Sequence, residues 1–169
     1  MSNISKEEAL QMVSASSKLA HSILVSKIMV RLAEHLREDA DDWEIAGLLH
    51  DLDYDLVQDD PSQHGVKAAA ILDGKVSKEV LRAIMAHDHR TGQKAVTLLD
   101  RALIFSDSLA TLIEDQSLGR DSDEEEITEA ISLEAKTKPW IPQIINRFCL
   151  ETDLDSSALL KVIFQEARG

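Results

Sequence analysis

The chain has 169 residues, which is enough to bury the core of one domain. Its 31 acidic residues outnumber 18 basic ones, and the resulting net charge of -13 repels phosphate backbones and anionic membranes. No apolar run approaches the roughly 20 residues of a membrane span, and the N-terminal residues lack a signal-peptide pattern. With Cys149 as its single cysteine, the chain can form no internal disulfide. We therefore expect a cytoplasmic protein that binds neither nucleic acid nor membranes.

The composition favours an all-α fold. Only six Gly and three Pro are available for turns, and 44% of the residues are hydrophobic while only 4% are aromatic. An aliphatic core between helices is the expected result. We predict a single domain over residues 1–169.

Capping patterns and apolar periodicity predict the first helices. Ser5 and Glu8 form a capping box for a short first helix. A second helix should run from about residue 18 to residue 37, with His21 on its inward-facing stripe. The third is predicted over WEIAGLLHDLDYDL, capped by Asp41 or Asp42, and its apolar run carries His50 inward.

The remaining helices follow in chain order. A fourth is predicted from near Gln63 to Asp73-Gly74, and Ser77 caps a fifth that breaks at Thr91-Gly92. Thr97 and Asp100 form a capping box for a sixth, which continues through LLDRALIFSDSLATLIED. After an acidic loop we expect helices near residues 124–136, around residue 144 and over residues 155–166, which form a C-terminal extension at about 123–169.

Interior histidines and aspartates point to a metal site. Divalent metals are held by imidazole and carboxylate groups from several elements, with one position left open for water in catalytic sites. Asp107 lies in the aliphatic sequence ALIFSDSLATLI, where a buried, unpaired carboxylate would be costly without a cation or strong donors. Four histidines at predicted helix ends can face a common centre if the helices pack as a bundle: His21, His50, His64 and His87.

The ordered set His21, His50-Asp51, His64, His87-Asp88 and Asp107 resembles the HD-domain superfamily of metal-dependent phosphohydrolases. It is most similar to the small predicted hydrolases with the segment GLLHDLDYD. The likeness covers about residues 18–114 and includes HGVKAAAIL and ALIFSD. It implies an HD-type helical bundle whose metal-bearing core precedes the extra C-terminal helices.

The resemblance also implies a ligand set, with His21, His50, Asp51 and Asp107 on a first metal. His64 and His87 match positions that hold a second ion in the two-metal branch, bridged by Asp51. That branch often has paired histidines in place of His87-Asp88, and Ile-Gly-Lys in place of Leu52-Asp53-Tyr54. The number of bound ions, one or two, therefore stays open. The expected cation is a divalent transition metal (Mn, Fe, Co, Ni or Zn) or Mg.

The implied activity is hydrolysis of a small phosphomonoester or phosphodiester, a nucleotide among the candidates, by metal-bound water. Asp53, three residues after His50, is the candidate for holding or deprotonating that water, and solvation of a helix end is the alternative. Lys18, Lys67 and Arg90 are candidates for binding the substrate phosphate, with a surface role as the alternative for each.

Two other functions remain open from the same residues. One is a di-iron oxygenase of the same superfamily, and the other is a non-catalytic HD module that binds metal for stability or signalling. The C-terminal helices could form a homodimer or cover the site.

Overall fold

The computed structural model describes residues 1–119 and 122–154 of the chain. No strand occurs in these ranges, and none of the helices found there is long and apolar enough to cross a membrane. The all-α prediction is confirmed. The α-helices are α1 (Lys6–Val13), α2 (Leu19–Leu36), α3 (Ala40–Leu49), α4 (Val66–Leu72), α5 (Lys78–His87), α6 (Leu98–Asp115), α7 (Glu124–Glu134) and α8 (Trp140–Thr152), and short 3-10 turns lie at Tyr54–Leu56, Pro61–Gln63 and His89–Thr91.

The internal contacts divide the chain into two compact units, Met1–Ser106 and Asp107–Gly169. The division falls inside α6. In the second unit, α7 packs against α8. The sequence instead placed the end of the metal-bearing part in the acidic loop beyond α6, and its assignment of the whole chain to one domain stays a prediction.

Helix α3 is the central element of the first unit. It packs along α2 and also contacts α1 and α5, while α4 packs on α5. Trp43, Ile45, Leu48 and Leu49 are all buried on α3. A helix that is apolar on nearly every side must be surrounded by other elements. The residues that follow the C-terminal end of α3 therefore begin inside the unit.

The closest approach of α2 and α3 is at Gly47. A Cβ atom at this position would lie 2.6 Å from Cα and 2.8 Å from the backbone nitrogen of Ser26. Real side chains do not tolerate such distances to backbone atoms, so only glycine permits this crossing. The crossing fixes α2 against α3.

Several predicted helix starts are confirmed. The side chain of Ser5 accepts a hydrogen bond from the Glu8 backbone within a full capping box, and Ser77 caps α5. At the start of α6, Asp100 accepts a hydrogen bond from the Thr97 backbone over 2.9 Å, and Thr97 accepts one from the Asp100 backbone over 3.3 Å. Short polar side chains at helix starts are reliable sequence signals because they satisfy local backbone donors.

The third helix differs from its prediction at both ends. Asp39 rather than Asp41 or Asp42 is its N-cap, and the helix ends at Leu49 instead of continuing to Leu56. Beyond it the chain turns, because the carboxylates of Asp53 and Asp55 accept hydrogen bonds from distant segments. These tertiary contacts override the helical periodicity.

Two further boundaries differ. Helix α4 begins at Val66 rather than near Gln63, because Gly65 has a φ of +81° that interrupts the helix. The predicted short helix around Ile144 is the longer α8. The helix predicted over residues 155–166 lies outside the described residues.

Candidate metal centre

Asp51 lies at the centre of a cluster of four histidines, all in the first unit. Its Oδ1 lies 3.0 Å from Nε2 of His64 and 3.8 Å from Nε2 of His87. Its Oδ2 lies 3.5 Å from Nε2 of His50 and 4.0 Å from Nε2 of His21. The two carboxylate oxygens thus face different pairs of imidazoles.

Four separate elements bring these histidines together. His21 is in the first turn of α2, and His50 is the C-cap of α3. His64 precedes α4, and His87 is the last residue of α5. Ligand atoms of His50, Asp51 and His87 lie within 4.8 Å of one another, a spacing that suits a metal ion. The structure thus brings the four predicted histidines around one carboxylate, and their assignment as metal ligands stays a prediction.

Hydrogen bonds from Nδ1 of the His50 and His87 rings orient their Nε2 atoms toward Asp51. Nδ1 of His50 donates to the carbonyl of Gly47 over 2.8 Å, and Nδ1 of His87 donates to the carbonyl of Ile84 over 2.6 Å. When Nδ1 carries the proton, Nε2 of the neutral ring carries the lone pair. Backbone carbonyls commonly hold metal-binding histidines in this way.

Asp53, the predicted catalytic residue, hydrogen-bonds His64 and the start of α4, and its catalytic role stays a prediction. Its Oδ1 accepts a hydrogen bond from Nδ1 of His64 over 2.8 Å, and its Oδ2 accepts from the backbone nitrogens of Gly65 and Ala68. The side chain is fully buried. The catalytic prediction assumed that helix α3 continues through Asp53, whereas the helix ends earlier and the carboxylate contacts the start of α4.

Gly65 permits the close approach of His64 to His87. A Cβ atom at Gly65 would lie 2.7 Å from the carbonyl oxygen of Ile84, the same oxygen that accepts the His87 hydrogen bond. The Nε2 atoms of His64 and His87 lie 3.1 Å apart. The roles of Gly65 and Gly47 were not predicted from sequence, although a glycine directly after a candidate ligand, as at Gly65, is a signal of close backbone approach.

The cluster carries both signs of charge before any cation binds. Burial opposes ionisation of Asp51, but the electrostatic effect of the His50 ring and the hydrogen bond from His64 hold the pKa of Asp51 well below its usual range. Burial also opposes protonation of His64, but hydrogen bonds to Asp51 and Asp53 raise its pKa to about 9. A cation that binds at Nε2 of His64 must therefore displace a proton.

Lys18 lies near this cluster through an aromatic neighbour. Its Nζ is 4.5 Å from the centroid of the Tyr54 ring, which contacts the His64 ring edge-on at 5.9 Å. The pair is partly exposed at the edge of the site. The flexible side chain of Lys18 can therefore reach an anion bound beside His64.

The other two predicted phosphate-binding cations have different surroundings. Lys67 is exposed and its Nζ lies 3.4 Å from the carbonyl of Leu56. Arg90 forms a two-pronged ion pair with Asp88, and hydrogen bonds from Arg90 lower the pKa of the Asp88 carboxyl against the effect of burial. The charge of Arg90 is thus already compensated by its neighbour.

Asp107 is the first residue of the second unit and lies in the middle of α6. It is partly buried. Its assignment as a ligand of the first metal stays a prediction.

The donor set fits a divalent cation. Imidazole nitrogens suit Zn, Fe, Ni and Cu, and carboxylate oxygens suit Mg and Mn, so a mixed set favours a first-row transition metal. The side chains of His50, Asp51 and His87 are buried, and Nε2 of each histidine faces the Asp51 carboxylate. The all-helical fold and this cluster together are typical of helical metal-binding proteins.

Comparison with protein families identifies this class. The model of the HD domain matches residues 19–137, and the chain therefore belongs to the HD-domain family. Members of this family bind divalent metals and are typically phosphohydrolases. Neither the curated proteins nor the solved structures gave a match.

Proposed function

We propose that this chain is a metal-dependent phosphohydrolase that cleaves a small phosphomonoester or phosphodiester. The observation that carries the proposal is the position of Asp51, whose Oδ1 faces His64 and His87 while Oδ2 faces His50 and His21. A carboxylate shared between two groups of imidazoles can bridge two cations. Two-cation sites are a common means of stabilising both oxygens of an in-line displacement at phosphorus.

The proposed ligands divide into two sets. In the first unit, His21, His50 and Asp51 would hold the first ion, and His64 and His87 would hold the second, with Asp51 shared. When bound, a divalent cation lowers the pKa of water toward neutrality and offsets negative charge on phosphoryl oxygens. Such local compensation is needed in a chain whose net charge is -13.

The chain's own residues bind and orient the substrate. Lys18 places a positive charge over the Tyr54 ring beside His64, and we assign it to the substrate phosphate. Lys67, three residues after His64 in the chain, supplies a second, exposed cation. Arg90 would have to leave Asp88 to contact a substrate, so we rank it behind the two lysines.

The proposal is tested with a panel of small phosphate esters and Mn²⁺, Fe²⁺, Co²⁺, Ni²⁺, Zn²⁺ or Mg²⁺. Release of inorganic phosphate measures hydrolysis of the phosphomonoesters, and release of the alcohol and the phosphomonoester product measures hydrolysis of the phosphodiesters. We expect turnover that requires the metal and is lost in Asp51→Asn. The matched control is His35→Ala, which removes an exposed histidine of α2 outside the cluster. Metal binding without turnover of any ester would favour a non-catalytic HD module.

The same donor set supports a second candidate, a di-iron oxygenase. Four imidazoles around a shared carboxylate also suit two iron ions. Iron as the only supporting metal, together with oxygen consumption and no release of phosphate, would favour this activity. Phosphate release with Mn²⁺ or Mg²⁺ in the absence of oxygen would exclude it as the main activity.

A further inference from the structure

We infer that Asp53 is a positioning residue that selects the metal-binding tautomer of His64 and thereby sets the affinity of the second ion. The inference rests on the proposed metal centre, because it concerns the protein group behind one of the proposed ligands. It gives Asp53 a role at the metal centre without contact with the cation or the substrate.

The two oxygens of Asp53 have separate partners. Oδ1 accepts from Nδ1 of His64 over 2.8 Å. Oδ2 accepts from the backbone nitrogens of Gly65 over 2.9 Å and Ala68 over 2.8 Å. All three partners are donors at the start of α4, and an ionised carboxylate offers them only acceptors. Asp53 thus fixes the His64 ring and the helix start together.

This hydrogen bond determines which nitrogen of His64 is available to a cation. With the proton held on Nδ1, Nε2 of the neutral ring carries the lone pair. Nε2 lies 3.0 Å from Oδ1 of Asp51 and 3.1 Å from Nε2 of His87. These three atoms, Nε2 of His64, Nε2 of His87 and Oδ1 of Asp51, are the proposed ligand atoms for the second ion. The carboxylate, imidazole and metal then form the triad by which many proteins orient and strengthen a histidine ligand.

Replacement of Asp53 by asparagine separates this role from a structural one. Asparagine has the same shape but only one acceptor oxygen. Two backbone donors compete for that oxygen against one imidazole donor, so the amide oxygen should remain at the Oδ2 position. The amide NH₂ then faces Nδ1 of His64, which must accept a hydrogen bond and leave its proton on Nε2. The helix start is kept and the ligand atom is blocked.

The experiment uses Zn²⁺ as the probe and compares the wild-type chain with Asp53→Asn and with Asp59→Asn, an exposed aspartate of the same loop. Titration measures the number and affinity of bound ions, and ¹⁵N spectra of labelled histidines report which ring nitrogen carries the proton. We expect two ions in the wild type and in Asp59→Asn. In Asp53→Asn the second ion should bind about 10- to 100-fold more weakly, with the His64 proton on Nε2.

The outcomes are distinguishable. Two ions bound by Asp53→Asn with wild-type affinity would overturn the inference and leave the metal centre intact. A single ion in the wild type would also overturn it, because His64 would then have no ion to bind, and no ion at all would overturn the proposed function as well. If Asp53→Asn does not fold, the zinc-loaded wild type decides: a proton on Nδ1 of His64 supports the inference, and a proton on Nε2 overturns it.

Discussion

The Nε2 atoms of His64 and His87 lie 3.1 Å apart. Two lone pairs at this distance repel each other unless a proton or a cation lies between the rings. In the metal-free protein a proton on His64 prevents this repulsion, because hydrogen bonds to Asp51 and Asp53 outweigh the effect of burial and raise the pKa of His64 to about 9. In the proposed two-metal centre, a bound cation would take the place of that proton.

The first prediction concerns the number of ions. A double variant, His64→Ala with His87→Ala, should bind one ion where the wild type binds two, because it removes the two imidazoles on the Oδ1 side of Asp51. Metal analysis of the purified proteins measures this. The control is His89→Ala, which removes an almost fully exposed ring two residues beyond His87. A single ion in both wild type and double variant would instead assign these histidines to the substrate pocket.

The second prediction concerns the crossing of α2 and α3. Gly47→Ala should lower the melting temperature, because the added Cβ would meet the backbone of Ser26 at 2.6 Å and force the helices apart. Overpacking of this kind costs about 1–3 kcal/mol, which outweighs the gain of up to about 1 kcal/mol in helix propensity. Thermal unfolding measures the change.

Gly119→Ala is the control for this variant, because no neighbouring atom lies within 4 Å of a Cβ built there. It should leave the melting temperature nearly unchanged. A Gly47→Ala protein as stable as the wild type would mean that α2 and α3 are not in such close contact.

Helix boundaries could be predicted from the sequence where they depend on contacts between residues that are close together in the chain. The capping residues Ser5, Ser77 and Thr97 were identified because each bonds to backbone a few residues away. The end of α3 was not, because it depends on Asp53 meeting Gly65 and Ala68, which are 12 and 15 residues further along the chain. Such tertiary contacts leave no periodic signal.

In the candidate site, too, the residues could be identified from the sequence, whereas roles that depend on tertiary contacts could not. The four histidines and Asp51 were identified as candidates because their order along the chain is distinctive. The catalytic role of Asp53 stays a prediction, but its argument from spacing is lost, since spacing from His50 carries meaning only while the helix continues. Asp88 could not be assigned a role from sequence, and the structure places it in an ion pair with Arg90.

The third prediction concerns acid stability. Burial opposes ionisation of Asp100, but hydrogen bonds from Thr97 and Val96 and the charge of Arg82 hold its pKa below the usual value. A lowered pKa in the folded state stabilises the protein above the unfolded value of about 3.9, and this stabilisation is lost as the pH falls through the folded pKa. Asp100→Asn should therefore lower the free energy of unfolding near neutral pH by about 1–3 kcal/mol.

The deficit of Asp100→Asn should begin to shrink below about pH 4, where the unfolded wild type takes up a proton, and should continue to shrink until the pH reaches the lower pKa of the folded carboxyl. Denaturant unfolding at a series of pH values measures it, with Asp59→Asn, an exposed aspartate, as the control. A difference between Asp100→Asn and the wild type that stays constant from neutral to acidic pH would show that the charge of Asp100 does not contribute.

The fourth prediction concerns metal removal. A metal that binds only the folded state stabilises it by mass action, by about 2.7 kcal/mol at a free concentration one hundred times the Kd. Chelation should therefore lower the melting temperature of the loaded protein by about 5–10 °C. The same chelator should not affect Asp51→Ala. An unchanged melting curve after verified removal of the metal would argue against ligation by buried residues.

The metal content of Asp51→Ala tests the central claim most directly. Asp51 is the carboxylate that all four imidazoles approach, with Nε2 distances from 3.0 Å for His64 to 4.0 Å for His21. Its removal should strip the metal and the activity together, while His35→Ala should keep both. We expect no bound transition metal in Asp51→Ala that has retained its helical content, and full wild-type occupancy in that variant would rule out Asp51 as a ligand.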